Sequence, residues 1–227
     1  MTALVLVGMS VTDVDNRDAI AAAASGRGAT MAFLQMGDPS LSLELTRLAD
    51  SGETSITLVG IDTGPLAPGH SWLPRIAAHW WRERTGCRPT IHVATTLAKS
   101  LDGVDAALGE TRPLSGHESG LTSAAWEHVS GHRHQVMICR GPRCTARGQM
   151  DNVRAMVLAM MEHNLGDDDV LLVHTGCQFP CNQAPVISVQ PDDVWYGTVN
   201  PESAHRIVTE HLVEGCPVEA LRLPRSI

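Results

Sequence analysis

The sequence predicts an α/β protein in two domains, an open parallel sheet followed by a smaller mixed unit. Three observations carry this. Short apolar runs alternate with amphipathic helical stretches over residues 1–110, the pattern of strand–helix units that assemble into a parallel sheet. A connector with Gly, Pro, Ser and Thr follows over residues 111–134. Residues 135–227 then order a strand, a helix, a strand, a hairpin and a final helix, and their loops hold four of the six cysteines. A length of 227 residues suits two modest domains.

In the first domain, Ala3-Leu-Val-Leu-Val7 is a continuous apolar run ending at Gly8, as expected of a strand buried on both faces. Residues 15–25 read as a helix with Asp15 or Asn16 as cap and Gly26 as stop. Residues 30–35 read as a second strand and 39–51 as a second helix, with Leu41, Leu45 and Leu48 on one face. A third strand spans 55–61, a third helix 73–85 and a fourth strand 89–95. On the third helix, His79, Trp80 and Trp81 are expected to pack or to meet a second copy. Sheets of this kind bind ligands at the carboxyl ends of their strands. The loops of interest are therefore Gly8-Met-Ser10, Gln35-Met-Gly-Asp-Pro39 and residues 62–70. A single glycine in the first loop makes neither a dinucleotide fingerprint nor a P-loop. Met9 is expected to pack in the core and Asp62 to serve a turn or cap.

The connector carries His117, His128, His132 and His134, four of the eleven histidines. It reads as a polar linker; the rival reading, a metal-collecting arm, lacks a helical register to align the imidazoles. Beyond it, a strand is expected over 135–140, a helix over 146–163, a strand over 170–175, a hairpin from 185–190 and 194–199, and a last helix over 202–212. In the first of these helices Met150, Val153, Met156, Val157, Met160 and Met161 are expected mostly on one core-facing side. The last is opened by Pro201 and stopped at Gly215-Cys-Pro217.

With 17 basic against 25 acidic residues, a net charge of -8 and no Lys/Arg run, nucleic acid is not an expected partner. No apolar segment approaches the roughly 20 residues needed to cross a bilayer. The opening apolar run is short for a signal segment and lacks a basic flank, so a cytoplasmic location is expected.

The cysteines form two pairs, Cys139-Arg-Gly-Pro-Arg-Cys144 and Cys177-Gln-Phe-Pro-Cys181. Four thiolates in two close pairs bind metal or form disulfides, and the cytoplasmic expectation favours metal. The spacing lies at the loose edge of structural zinc sites and matches no familiar ferredoxin pattern, so spacing leaves zinc and an iron–sulfur cluster both open. Cys87 and Cys216 stand apart and read as isolated thiols. The flanks then narrow the choice. With Val194-Trp-Tyr-Gly-Thr-Val-Asn-Pro-Glu202 and His211-Leu-Val-Glu-Gly-Cys-Pro-Val-Glu219, the stretch 135–223 resembles the thioredoxin-like 2Fe-2S ferredoxins. The resemblance implies a 2Fe-2S cluster on Cys139, Cys144, Cys177 and Cys181, a redox partner protein and a homodimer.

Leu4-Val-Leu-Val-Gly8, Ala32-Phe-Leu-Gln-Met-Gly-Asp-Pro-Ser-Leu41 and Pro65-Leu-Ala-Pro-Gly-His70 are similar, in that order, to the short sirohydrochlorin chelatases. Coverage is residues 1–108. The resemblance implies His70 as the catalytic metal ligand, cobalt or ferrous iron as the inserted metal, and a sirohydrochlorin-type tetrapyrrole of the cobalamin or siroheme pathway as substrate. It also implies a pocket completed between two copies. Two positions depart from that pattern, Met9 where the family has a first-loop His and Gln35 where it usually has Glu. A thioether neither takes a pyrrole proton nor binds a divalent metal well at neutral pH. The expectation is that Asp62 or Asp38 supplies the missing carboxylate, with Arg75 meeting substrate carboxylates. The alternative is a half that binds tetrapyrrole, metal or a partner enzyme without inserting metal, the cluster then carrying electrons.

Overall fold

The computed structural model describes residues 2–64 and 68–225, in two compact units, Met1–Trp126 and Glu127–Ile227. Pro65, Leu66 and Ala67 of the third-loop motif lie outside the described residues.

The first unit runs β1 (Thr2–Gly8), α1 (Val11–Asp15), α2 (Arg17–Ser25), β2 (Thr30–Phe33), α3 (Leu41–Asp50), β3 (Ser55–Ile61), α4 (Trp72–Glu83), β4 (Thr90–Ala94), α5 (Val104–Leu108) and β5 (Thr111–Pro113). Its sheet is ordered β2-β1-β3-β4-β5, parallel except for β5, which is antiparallel to β4. Alternate residues of β1 serve opposite faces. Val5 and Val7 pack with Leu45, Leu73 and Trp80 on one side, while Leu6 packs with Ile20, Phe33 and Ala107 on the other. Burial on both faces is why β1 reads as an unbroken apolar run.

Two features differ from expectation. The helix anticipated over 15–25 begins earlier and in two pieces. Ser10 opens α1, because its amide donates to Asp13 Oδ2 at 2.8 Å while its hydroxyl accepts from the Asp13 amide at 3.4 Å, a reciprocal cap. The stretch expected to be connector also supplies β5. Its pairing with β4 and the Leu114 amide bond to Ile91 O at 2.8 Å cover an edge that would otherwise be open.

The second unit runs β6 (His134–Cys139), α6 (Pro142–Ala146), α7 (Gln149–Glu162), β7 (Val170–Thr175), β8 (Ile187–Gln190), β9 (Val194–Tyr196) and α8 (Pro201–Arg206), which continues as π-helical turns over Ile207–Val213. The sheet order is β7-β6-β8-β9, with β6 parallel to β7 and the hairpin antiparallel to it. This is a thioredoxin-like arrangement. The helix anticipated over 146–163 instead starts at Pro142 and breaks before Gly148, whose φ of 78° is open to glycine without strain. Cys144 therefore lies inside a short helix rather than ahead of a long one. The methionine stripe is narrower than expected: Met156 is buried and Met161 is 68% exposed. Polar side chains take up the buried face instead. Gln149 donates to Val186 O and Asn152 to Val199 O, each at 2.9 Å.

Among the described residues no helix is long and apolar enough to cross a membrane.

Candidate functional site

The end of β6, helix α6 and the loop after β7 bring the two cysteine pairs to one corner of the second unit. Cys139 closes β6 and Cys144 sits in α6, both buried against Ala184, Val186 and Trp195. Cys177 is exposed and Cys181 half-buried, with their sulfurs 3.2 Å apart. The pairs touch. The Gln178 amide donates to Cys139 Sγ at 3.4 Å. A Cβ at Gly141 would come within 3.0 Å of Cys177 Cβ and 3.3 Å of its Sγ, so this position needs glycine for close approach rather than for its backbone angle. Gln178 pins the second loop to both neighbours, donating to Thr175 Oγ1 at 2.7 Å and accepting from Ser188 Oγ at 3.0 Å. All four are free thiols.

Burial and neighbours set the proton affinities of Cys144, Cys177 and Cys181 apart. Burial pushes the Cys144 thiol up to about 11, and nearby Cys139 adds to the rise. The Phe179 amide, with Cys181 beside it, pulls Cys177 down, and Cys177 in turn raises Cys181. A metal cation would reverse the penalty on Cys144 and Cys181, since coordination deprotonates thiols outright. Among the described residues no three His, Cys, Asp or Glu side chains converge as a single ion would require. Two thiol pairs, one buried and one facing solvent, joined by an amide donor and a glycine cradle, fit the four-thiolate demand of a two-iron cluster.

In the first unit, Met9 lies fully buried, its sulfur 3.0 Å from where a Cβ on Gly60 would sit, among Leu73 and Leu97. It is core packing, as expected, and leaves the first loop without a metal ligand. Gln35 donates to Met9 O at 3.4 Å. His70 places Nε2 at 2.8 Å from Ala94 O, at the carboxyl end of β4. A carbonyl only accepts, so the ring proton is on Nε2 and the Nδ1 lone pair is left for a ligand, the way metal-binding histidines are oriented. Of the two carboxylates considered, Asp38 is exposed, while Asp62 is buried beside β3 and ion-paired with Lys99. Asp62 Oδ1 is buried without a hydrogen-bond partner.

His117 lines a pocket of the first unit, His132 bonds Ser130 at 2.9 Å and His134 lies 3.2 Å from Asp192. Asp13 was missed by sequence reasoning. Fully buried, it accepts from Ser10 and from the Thr63 amide at 3.0 Å, joining the first loop to the third. The Ser10-x-x-Asp13 spacing of a capping box was the available signal.

A four-thiol corner on this strand–helix–strand, hairpin, helix unit defines a protein that binds a metal or an iron–sulfur cluster through thiolates. No protein-family model matches the chain. A putative 2Fe-2S ferredoxin of Priestia megaterium is 36% identical over 99 residues, 44% of this chain and 76% of the relative. A 2Fe-2S ferredoxin of Aquifex aeolicus is 40% identical over 87 residues, 37% of this chain and 75% of the relative. The crystal structure of a thioredoxin-like [2Fe-2S] ferredoxin from Aquifex aeolicus aligns with 40% of this chain and 97% of its own, at 33% identity and a TM-score of 0.38. SirB from Bacillus subtilis, solved with Fe3+, aligns with 75% of this chain and 64% of its own, at 13% identity and a TM-score of 0.36. Both TM-scores are low, so membership rests on the sequence identities. Through its second unit the chain belongs to the thioredoxin-like 2Fe-2S ferredoxins.

Proposed function

We propose that the chain is an electron-transferring iron–sulfur protein of tetrapyrrole biosynthesis, in the cobalamin or siroheme branch. Cys139, Cys144, Cys177 and Cys181 hold its 2Fe-2S cluster, and its first unit binds a sirohydrochlorin-type macrocycle, its metal or a partner enzyme. The gathering of two thiol pairs at one corner carries this reading. A bound 2Fe-2S cluster supplies a one-electron couple. The chain's own contribution is graded access: Cys139 and Cys144 are shielded by Ala184 and Val186, whereas Cys177 is exposed and Cys181 half-buried, the side from which a redox partner protein would approach. The Gln178 and Phe179 amides donate toward the sulfurs and offset their charge. A homodimer located in the cytoplasm completes the proposal.

One observation favours a second reading, insertion of cobalt or ferrous iron. His70 is held by Ala94 O in the tautomer that offers Nδ1 to a metal. Against it stand Met9 in the core, an amide at Gln35 and an Asp62 already paired with Lys99. Insertion needs a base for the pyrrole protons, and the first loop has none.

The test is anaerobic purification with iron and sulfide analysis, followed by mixing with sirohydrochlorin and cobalt or ferrous iron. Iron and sulfide in equal amounts, lost in Cys144→Ser and Cys177→Ser, are expected; a colourless zinc protein would overturn the cluster. A shift in macrocycle absorbance without faster metal uptake than the no-protein control is expected. Accelerated uptake abolished by His70→Ala would replace this reading with the second.

A further inference from the structure

A pocket of about 300 Å3 in the first unit lies where α4 begins, beside β5 and the loop after it. Its walls include Arg75 and Arg112. Elsewhere in this unit Arg27 is matched to Asp105, Arg47 to Glu44 and Arg84 to Asp50, while Arg82 and Arg88 donate to backbone carbonyls. Among the described residues neither Arg75 nor Arg112 has an ion-pair partner, in a chain whose net charge is -8. Arg75 is nonetheless held firmly. Its guanidinium lies over Trp72 at 4.8 Å and over Trp126 at 5.0 Å from the ring centroids, and the two indoles stack on each other at 5.2 Å. Aromatic faces position a cation without neutralising it, and Arg75 Nε is buried with no hydrogen-bond partner.

The one carboxylate among the lining residues is spoken for. Glu118 accepts from the Ser115 amide at 2.8 Å, the Gly116 amide at 3.0 Å and the Ser115 hydroxyl at 3.1 Å. Burial alone would raise its pKa, but these donors outweigh it and hold the group below the usual carboxylate range. Arg82 fixes the same loop from behind through Gly116 O and Glu118 O. The hydroxyls of Ser71 and Ser119 and the imidazole of His117 complete the polar wall. The helix terminus itself adds little, since the Trp72 and Leu73 amides already donate to Gly69 O and His70 O and Pro74 has no amide hydrogen.

We infer that this pocket is an oxyanion-binding site, taking the carboxylate or phosphate group of a small organic anion or of one end of a larger ligand. Two guanidinium forks match the geometry of carboxylate and phosphate oxygens. The volume sits at the small end of ligand sites, which span roughly 300–1,000 Å3. The inference stands whether or not the first unit takes a tetrapyrrole.

The full chain is titrated calorimetrically with inorganic phosphate and, separately, with propane-1,2,3-tricarboxylate, at an ionic strength fixed with sodium chloride. Saturable binding of one anion per chain is expected, weakened about tenfold or more by Arg112→Gln and by Arg75→Gln. Arg88→Gln, which removes a guanidinium stacked on Trp81 outside the pocket, is expected to leave binding unchanged. Tighter phosphate binding would identify a phosphoryl ligand, and tighter tricarboxylate binding a polycarboxylate; either supports the site. No saturable binding of either probe at millimolar concentration would overturn it, as would an Arg112→Gln variant, folded by circular dichroism, that binds like the parent. Equal weakening by Arg88→Gln would also overturn it by reducing the effect to general charge.

Discussion

At the scale of single residues, the most constrained group outside the thiol corner is the Tyr196 hydroxyl. It accepts the Val218 amide at 3.1 Å, so its own proton goes to His211 Nδ1 at 2.8 Å. The imidazole then carries its proton on Nε2 and donates to Asp192 Oδ2 at 3.1 Å. A neutral ring satisfies every partner. Burial lowers the pKa of His211, and Asp192 offsets only part of that. A folded value below the unfolded one, about 6.5, means that the folded state binds fewer protons. The stabilisation is therefore complete above that value and is lost as pH falls from there toward the folded pKa. The melting temperature of the second unit is expected to drop as pH falls below about 6.5, and His211→Gln to flatten that slope. An unchanged slope in the variant would place the titration elsewhere. The sequence showed both residues inside its matched motifs but not their partnership, because a bond between a strand and a helix 15 positions apart has no local signature. The four cysteines were legible for the opposite reason, since residue type and spacing alone single them out.

At the scale of elements, the strand ends decide what the first unit can do. Met9 closes a tightly filled space: a Cβ on Gly60 would lie 2.5 Å from Leu97 Cδ2 and 3.0 Å from the Met9 sulfur. Placing an imidazole there buries polar nitrogens without partners. Met9→His is expected to lower stability to urea by about 2 kcal/mol, against less than about 1.5 for Met9→Leu. A stable Met9→His protein that binds cobalt would show that the loop can open toward solvent. Alternating strands and helices were readable because burial on both faces writes apolar runs into β1 and β3. The pieces that escaped were short ones. Thr111–Pro113 is exposed throughout and has no alternation to detect, and α1 is recognisable only by its cap. The break at Gly148 depends on a backbone angle that composition does not reveal.

At the scale of the whole molecule, the second unit is compact in itself and has its own four-stranded sheet. Residues 127–227 expressed alone are therefore expected to fold and to show the visible spectrum of the full chain, checked by absorbance and circular dichroism. A colourless or insoluble fragment would make the first unit a requirement for assembly. The strand order carries a further consequence, one of manufacture. A ribosome makes the chain from β6 onward and delivers all four thiols before either strand of the β8–β9 hairpin exists. Ala184 and Val186, which wall off Cys139 and Cys144, come next, and the Val218 amide that seats Tyr196 comes almost last. A nascent chain thus offers four open thiols to whatever delivers iron and sulfide, whereas a finished chain shows only two.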